Sequence, residues 1–267
     1  MDKYDVIESD ISSGSYGIID LVQSHRTGEL LAMKVINCST EKELKDFHQE
    51  VEMLKALKAQ CANLLCLVDH FIADKKCYVV TNYINDSTTL LVYMPRHKFA
   101  DKIDIFLKIC QATNTLHQLG IIHLDLKPEN ILIRDTGDEY EIFIIDYGFS
   151  CFIDACHKGK GTPNHVAPEV IIQKFDRSPI GPWSDIYSLG IIGYWMLSSK
   201  MPIKSPSIGQ LLTIKSFPDS YQKELIPLEH YQDLRENLMA KLVIKMIAFD
   251  PKERPTLNQI IEQLHDL

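Results

Sequence analysis

The hydrophobic pattern of this chain changes period near residue 90, so its fold must join a strand-rich part to a helical one. Residues 4–36 alternate apolar and polar runs, broken at Gly14, Gly17 and Thr27-Gly28, as short antiparallel strands do. Residues 41–58 place Leu44, Phe47, Val51, Leu54 and Leu57 at helical spacing. Residues 64–72 and 77–84 read as two further strands. Beyond residue 98 the segments 99–119, 183–198 and 237–248 carry wide apolar stripes. Between them 130–134 and 141–145 flank the turn Asp135-Thr136-Gly137-Asp138 as a β-hairpin. The expectation is an α+β fold of two lobes: a small antiparallel sheet with one main helix over 1–84, and a larger, mostly helical lobe over 85–267.

With 267 residues, 45% of them hydrophobic, the chain can hold a core without a disulfide or a structural metal. Its longest apolar run, Leu189 to Leu197, falls far short of the ~18 residues a membrane span needs. The opening MDKYDVIESD is acidic and lacks the apolar stretch of a secretory signal. A soluble, cytoplasmic protein is expected. Lys and Arg number 28 against 36 Asp and Glu, a formal charge of -8. No dense basic block appears, which excludes an ordinary nucleic-acid binder. The seven cysteines (Cys38, Cys61, Cys66, Cys77, Cys110, Cys151, Cys156) are odd in number and lack C-x-x-C spacing, so they are expected to be reduced thiols. Cys151 and Cys156 read as small packing residues. The ten histidines show no metal-ligating spacing.

Two motifs carry chemistry. The first, Ile11-Ser12-Ser13-Gly14-Ser15-Tyr16-Gly17-Ile18-Ile19, lies between two predicted strands. Glycines there let backbone N–H groups approach phosphate oxygens, although Ser12 stands where a G-x-G-x-x-G pattern has its first glycine. Lys34 closes the following strand in Ala32-Met33-Lys34, and Glu50 sits on the next helix, where its inner face can pair with that lysine. Lys34 is expected to be an exposed lysine that contributes little to stability. The second motif is His123-Leu124-Asp125-Leu126-Lys127-Pro128-Glu129-Asn130, followed by Ile144-Ile145-Asp146-Tyr147-Gly148. Its spacing suits phosphoryl transfer: Asp125 accepts or orients an attacking hydroxyl, Asn130 and Asp146 offer hard oxygen ligands for magnesium, and Lys127 neutralises the migrating group.

At these residues the chain resembles the eukaryotic-type protein kinases. The resemblance continues through Gly161-Thr162-Pro163-Asn164-His165-Val166-Ala167-Pro168-Glu169, Ser184-Asp185-Ile186-Tyr187-Ser188-Leu189-Gly190 and Asp250-Pro251-Lys252-Glu253-Arg254-Pro255, in family order over residues 4–267. It implies a single catalytic domain over 1–267 and leaves no length for an autoinhibitory tail. It implies ATP as the nucleotide and magnesium as the cation, with manganese as a substitute. Ile11, Ser12, Gly14 and Gly17 would cover the phosphates, and Lys34, paired with Glu50, would contact them. Thr81 would be the gatekeeper, Asn82 to Ile84 the hinge, and Ile19, Ala32 and Leu132 the sandwich around the adenine. Leu54, Leu67, His123 and Tyr147 would stack into a spine. Asp125 would be the catalytic base, Asn130 and Asp146 the metal ligands, and Glu169 and Arg254 a structural pair. Lys127 together with Thr162 resembles the Ser/Thr class, so the expected partners are protein substrates; nothing in the sequence sets an oligomeric state.

The departures from the family pattern matter as much. Leu124 occupies the place of an arginine that binds an activation-loop phosphate in many members, and leucine cannot do so. Between Ser150 and Thr162 there is no Ser, Thr or Tyr. The expectation is therefore a kinase not switched by loop phosphorylation, with the loop packing through Phe149, Phe152 and Ile153. Tyr147 adds a hydroxyl that needs a partner, and His165 stands where tyrosine is common. Asp86-Ser87-Thr88-Thr89-Leu90 lacks the acids that bind basic substrates, which leaves Glu129 near the peptide groove. A helix around Gly209 to Ser216 is expected to help bind the peptide, which argues against a small-molecule kinase. The main alternative is an ATP-binding pseudokinase acting as a scaffold. Such proteins typically lack part of the charged set, whereas Lys34, Glu50, Asp125, Lys127, Asn130 and Asp146 are all present here.

Overall fold

Antiparallel register organises the first part of the computed structural model, which describes residues 3–14, 17–57, 64–94, 98–156, 161–171, 180–202 and 233–267. The chain divides into two compact units, Met1–Ser87 and Thr88–Leu267. In the first, β1 (Tyr4–Gly14), β2 (Gly17–Ser24), β3 (Leu30–Asn37), β4 (Leu67–Ala73) and β5 (Lys76–Asn82) form one antiparallel sheet of order β1-β2-β3-β5-β4. Val22, Leu31, Met33, Tyr78 and Val80 make a buried cluster against which Tyr4 and Phe71 pack. The Phe71 and Tyr78 rings stack at 4.6 Å, a favoured offset geometry.

Helix α1 (Glu41–Leu57) runs between β3 and β4 in the chain. It starts at a capping box: Thr40 Oγ1 accepts from the Glu43 N–H, and the Glu43 carboxylate accepts from the Thr40 N–H. Phe47, Glu50, Val51, Leu54 and Leu57 are buried along one stripe, the face that its spacing predicts. Strand β4 begins later than its apolar residues suggest, because the Cys66 backbone bonds Asn82 instead of extending the ladder. The β4–β5 turn puts Asp74 and Lys75 at φ 50° and 60°, the primed-turn conformation that matches strand twist.

Strand β6 (Ser87–Thr89) carries the chain into the second unit, followed by the short helix α2 (Leu90–Tyr93). There α3 (Phe99–Gln118), α4 (Pro182–Ser198), α5 (Leu234–Met246) and α6 (Leu257–His265) form the helical body. Helix α4 is buried over most of its length, and α3 packs against α4, α6 and the strand Tyr140–Ile144. A Cβ at Gly193 would meet Val243 at 2.8 Å and Phe106 at 2.9 Å, so glycine lets α4 approach its neighbours. The predicted hairpin is β8 (Ile131–Asp135) and β9 (Tyr140–Ile144). A two-residue pair, β7 (Ile121–Ile122) with β10 (Cys151–Phe152), is too short to show as periodicity in the sequence. Among the described residues no helix is long and apolar enough to cross a membrane.

The cysteines correct an expectation. Cys38 follows β3, and the register Ile36↔Cys77 brings it to a Cα–Cα distance of 5.8 Å from Cys77, to which it is disulfide-bonded. Cys66 is disulfide-bonded too, and Cys151 is bonded to Cys156 with 5.3 Å between Cα atoms. Both Cα separations lie within disulfide range. Strand register and a local turn make these pairs, and neither leaves a spacing signature in the sequence. Among the described residues Cys110 is the free cysteine, buried in α3, and burial pushes its thiol pKa up.

Candidate active site

The first unit brings together the residues expected to cover phosphates and the expected lysine. Ile11, Ser12 and Gly14 lie at the end of β1, and the hairpin closes with Gly14 opposite Gly17. Gly17 has φ 133°, and a Cβ there would collide with the Val35 carbonyl oxygen, so this position accepts only glycine. Ser12 is exposed and pairs with Ile19. Ile19 is the cross-strand partner of Lys34, and Ala32 that of Thr81, which is buried. In the segment expected to be a hinge, the Asn82 N–H is committed to the Cys66 carbonyl, and the Ile84 carbonyl accepts from Ser87 Oγ.

Lys34 Nζ donates to Glu50 Oε1 at 2.7 Å, with side-chain exposures of 15% and 8%. The pair expected from helical spacing is present, but the expected exposed lysine is not: Lys34 is largely desolvated. Lys34→Met is therefore expected to destabilise the fold by about 3 kcal/mol, because it removes the ammonium from a buried carboxylate. Lys34→Met/Glu50→Gln should recover part of that loss. Urea unfolding of both variants checks this, and an unchanged midpoint for Lys34→Met would refute it.

The second unit assembles the acids. Asp125 is 2% exposed, and both carboxylate oxygens are engaged. Oδ1 accepts from Thr162 Oγ1 at 2.6 Å and from the Thr162 N–H at 3.0 Å. Oδ2 accepts from Lys127 Nζ at 2.9 Å and from the Asn130 amide nitrogen at 3.1 Å. Lys127 also donates to Thr162 Oγ1 at 3.1 Å. Residues 37 apart in sequence thus converge on one carboxylate. Asn130 lies in the 3₁₀ turn Pro128–Asn130, and its carbonyl accepts from the Ile145 N–H, which ties the residue preceding Asp146 to it. Glu129 is exposed on that turn, and Leu132 is half-buried in β8.

The backbone of this loop is held in an unusual conformation. Leu124 and Asp146 both have φ 64°, in the left-handed region that residues other than glycine rarely adopt. Asp185 supports the first of them. It is fully buried and accepts from the His123 N–H at 2.8 Å, the Leu124 N–H at 2.9 Å and His117 at 2.9 Å. Burial alone would raise its pKa, but the hydrogen bond and charge of His117, the His123 charge and the His123 N–H bond outweigh that and hold it below the usual carboxylate range. Sequence reasoning assigned Asp185 no role, although its place in the Ser184-Asp185 motif was the available signal.

Other expectations divide. Tyr147 is buried, its hydroxyl donates to the Ile144 carbonyl at 2.8 Å, and its ring meets His123 edge-on at 5.3 Å. Arg254 forms a bidentate pair with Glu169 at 2.8 and 2.9 Å. His165 is buried, and neither ring nitrogen has a hydrogen-bond partner among the described residues. Burial pushes its pKa down to about 4, so the ring is neutral near pH 7. Leu124 is itself buried. Phe152 and Ile153 pack only in part, being 39% and 37% exposed, and Phe149 is half-buried. The backbone pairing of β10 with β7 holds this segment, with Ser150 Oγ donating to the His123 carbonyl at 3.2 Å. The helix expected around Gly209 to Ser216 lies outside the described residues.

Comparisons with known proteins agree with this geometry. The model of the family described as "Protein kinase domain" matches residues 6–265. The Dictyostelium discoideum protein named "Probable serine/threonine-protein kinase nek3" is 30% identical over 98% of this chain and 23% of its own length. The calcium/calmodulin-dependent protein kinase cmkB of Emericella nidulans is 27% identical over 94% of this chain and 62% of its own. Human myosin light chain kinase 3 is 33% identical over 74% of this chain and 24% of its own. The chain spans less than two thirds of the length of each.

Proposed function

Because the chain belongs to the protein kinase domain family, we propose that it transfers the γ-phosphoryl group of ATP to serine and threonine hydroxyls of protein substrates. The observation that supports this most is the state of Asp125, a buried carboxylate aimed by Thr162, Lys127 and Asn130 together. In this reading Asp125 takes the proton of the attacking hydroxyl and orients its oxygen toward phosphorus. Lys127 balances the negative charge that builds on the transferred group. Lys34, held by Glu50, binds the α and β phosphates, and the backbone of Asn82 to Ile84 reads the adenine. Residues 1–267 act as one catalytic domain.

Magnesium, when bound, supplies positive charge against the phosphate oxygens. Asn130 and Asp146 suit it as ligands. The Asn130 amide nitrogen is committed to Asp125, which turns the amide oxygen toward the cation role, and Asp146 adds a second hard donor. Two protein donors suffice where phosphates and water complete the octahedron. The same oxygens accept manganese.

The proposal includes independence from activation-loop phosphorylation. Its supports are the absence of any hydroxyl residue over 151–161 and the place of Leu124, which cannot bind a loop phosphate. It also includes a cytoplasmic setting, where ATP is plentiful and where bonded cysteines have to exchange with a thiol pool. The test is phosphate transfer from magnesium-ATP to a mixed Ser/Thr protein substrate, by wild type and by Asp125→Asn. Transfer by wild type no higher than by Asp125→Asn, with ATP still bound, would make the protein a binding scaffold. Phosphatase treatment of wild type is expected to leave the rate within about two-fold, since no loop phosphate organises the site. A loss of ten-fold or more, on the order of what removing an ordering phosphate causes, would sink this part.

A further inference from the structure

The segment after Asp146 offers no hydroxyl for a phosphate over residues 151–161. Phe152 and Ile153 are 39% and 37% exposed, so their side chains pack only in part. Yet its backbone lies directly against the catalytic loop. Cys151 pairs with Ile122 and Phe152 with Ile121 in the β10–β7 ladder, and the Ile153 N–H donates to the Gly120 carbonyl at 2.9 Å. His123 and Asp125 follow Ile122 by one and three residues. A disulfide joins Cys151, inside this ladder, to Cys156 on the far side of the 3₁₀ turn Ile153–Ala155, five residues on. Both cysteines are 7% exposed.

We propose that Cys151 and Cys156 form a reversible thiol–disulfide site that fastens the segment after Asp146 to the catalytic loop. Closing this short loop removes conformations in which the segment leaves β7, so the bond does locally what a bound phosphate does elsewhere. The co-reactant is a low-molecular-weight disulfide of the glutathione class. One cysteine thiolate attacks a glutathione disulfide sulfur, forming a mixed disulfide and releasing one glutathione thiolate. The second cysteine thiolate then attacks the protein sulfur of that mixed disulfide and releases the second glutathione. Two protein thiols lose two electrons and two protons, and one glutathione disulfide becomes two glutathiones. Cytosolic disulfides are usually of this exchanging, sensing kind. Cys110 lies in α3 at 0% exposure, away from this segment in the chain, and takes no part.

Only the consequence for catalysis rests on the kinase reading; the site itself does not. The full chain is equilibrated with glutathione at oxidising and reducing ratios, alkylated with iodoacetamide and digested with trypsin. The peptide 135–158 contains both cysteines. It is expected to be unalkylated and two hydrogens lighter after oxidation, and doubly alkylated after reduction. Amide hydrogen exchange at Phe152 and Ile153 should be about ten-fold faster in the reduced form. Cys151→Ser/Cys156→Ser should match reduced wild type at both ratios, while Cys38→Ser/Cys77→Ser should keep the response. Transfer from magnesium-ATP should be higher in the oxidised form. Alkylation of both cysteines at every ratio would overturn the site, as would a bond that forms without changing exchange at Phe152 and Ile153. Altered exchange with no transfer in either form would leave the site standing and overturn the kinase reading instead.

Discussion

Asp125→Asn is expected to lower the turnover number by about a thousand-fold, within the range seen when a positioned general base is removed, and to leave ATP affinity nearly unchanged. The loss has two sources that the geometry separates. An amide cannot take the proton of the attacking hydroxyl. It also cannot satisfy its surroundings, because Oδ1 accepts two hydrogen bonds from Thr162 and Oδ2 accepts from Lys127 and Asn130. Whichever way the amide is turned, its NH₂ group faces donors. A buried mismatch of this kind costs about 1–3 kcal/mol of stability, so Asp125→Asn should also unfold at lower urea concentration. Thr162→Val distinguishes the two sources, since it removes one donor and leaves the base. Its turnover should fall less than that of Asp125→Asn. The measurement is kcat and KM for ATP at saturating protein substrate. A turnover number for Asp125→Asn within ten-fold of wild type would remove Asp125 from the chemistry.

What could be read from the sequence follows from how local each feature is. The Asp125 to Asn130 loop is contiguous, and each of its residues is chemically specific, so its acids, its lysine and its amide could be named without coordinates. Lys34 and Glu50 could be paired because one strand position and one face of the next helix suffice to bring them together, although β3 runs on to Asn37 and Lys34 does not close it. The degree of burial could not be read, and it makes Lys34 a desolvated residue instead of an exposed one. Asp185 illustrates the limit. Its partners lie 61 to 68 residues away, and two of them are backbone N–H groups, which carry no side-chain signature.

The same reasoning explains the corrected loop and cysteines. Phe152 and Ile153 are apolar, so packing was the natural expectation, but their segment is held through main-chain bonds to a two-residue strand. Cys38 and Cys77 meet because β3 and β5 are neighbours, a fact of sheet order and not of spacing. Helix α6 starts at a capping box of Thr256 and Gln259, an S/T-x-x-E/Q signal that is visible in the sequence. Its apolar run, Leu257, Ile260 and Leu264, is short, and only burial against the second unit's core gives it weight.

Arg254→Met is expected to cost about 3–5 kcal/mol, much of the 5–15 kcal/mol that holds a typical domain together. Arg254 contacts the acid and several carbonyls at once. Its guanidinium donates to both Glu169 oxygens and to the carbonyls of Ala248, Trp183 and Phe249, and it lies 5.0 Å from the centre of the Tyr187 ring. Methionine fills part of the volume and none of the donors. Among the described residues Glu169, 5% exposed, would keep the Ser184 hydroxyl at 2.8 Å as its remaining hydrogen-bond donor. The penalty therefore comes mainly from a buried carboxylate that has lost its counter-ion, not from attraction alone. That distinction can be measured. If the stranded charge dominates, Arg254→Met/Glu169→Gln should be more stable than Arg254→Met by about 1–2 kcal/mol, even though it carries one more substitution. If the lost carbonyl contacts dominate, the double variant should be no better than the single one. Urea unfolding of the three variants, with Glu169→Gln as the reference, decides between them. A loss for Arg254→Met of less than about 1 kcal/mol would show that this pair does not hold the second unit together.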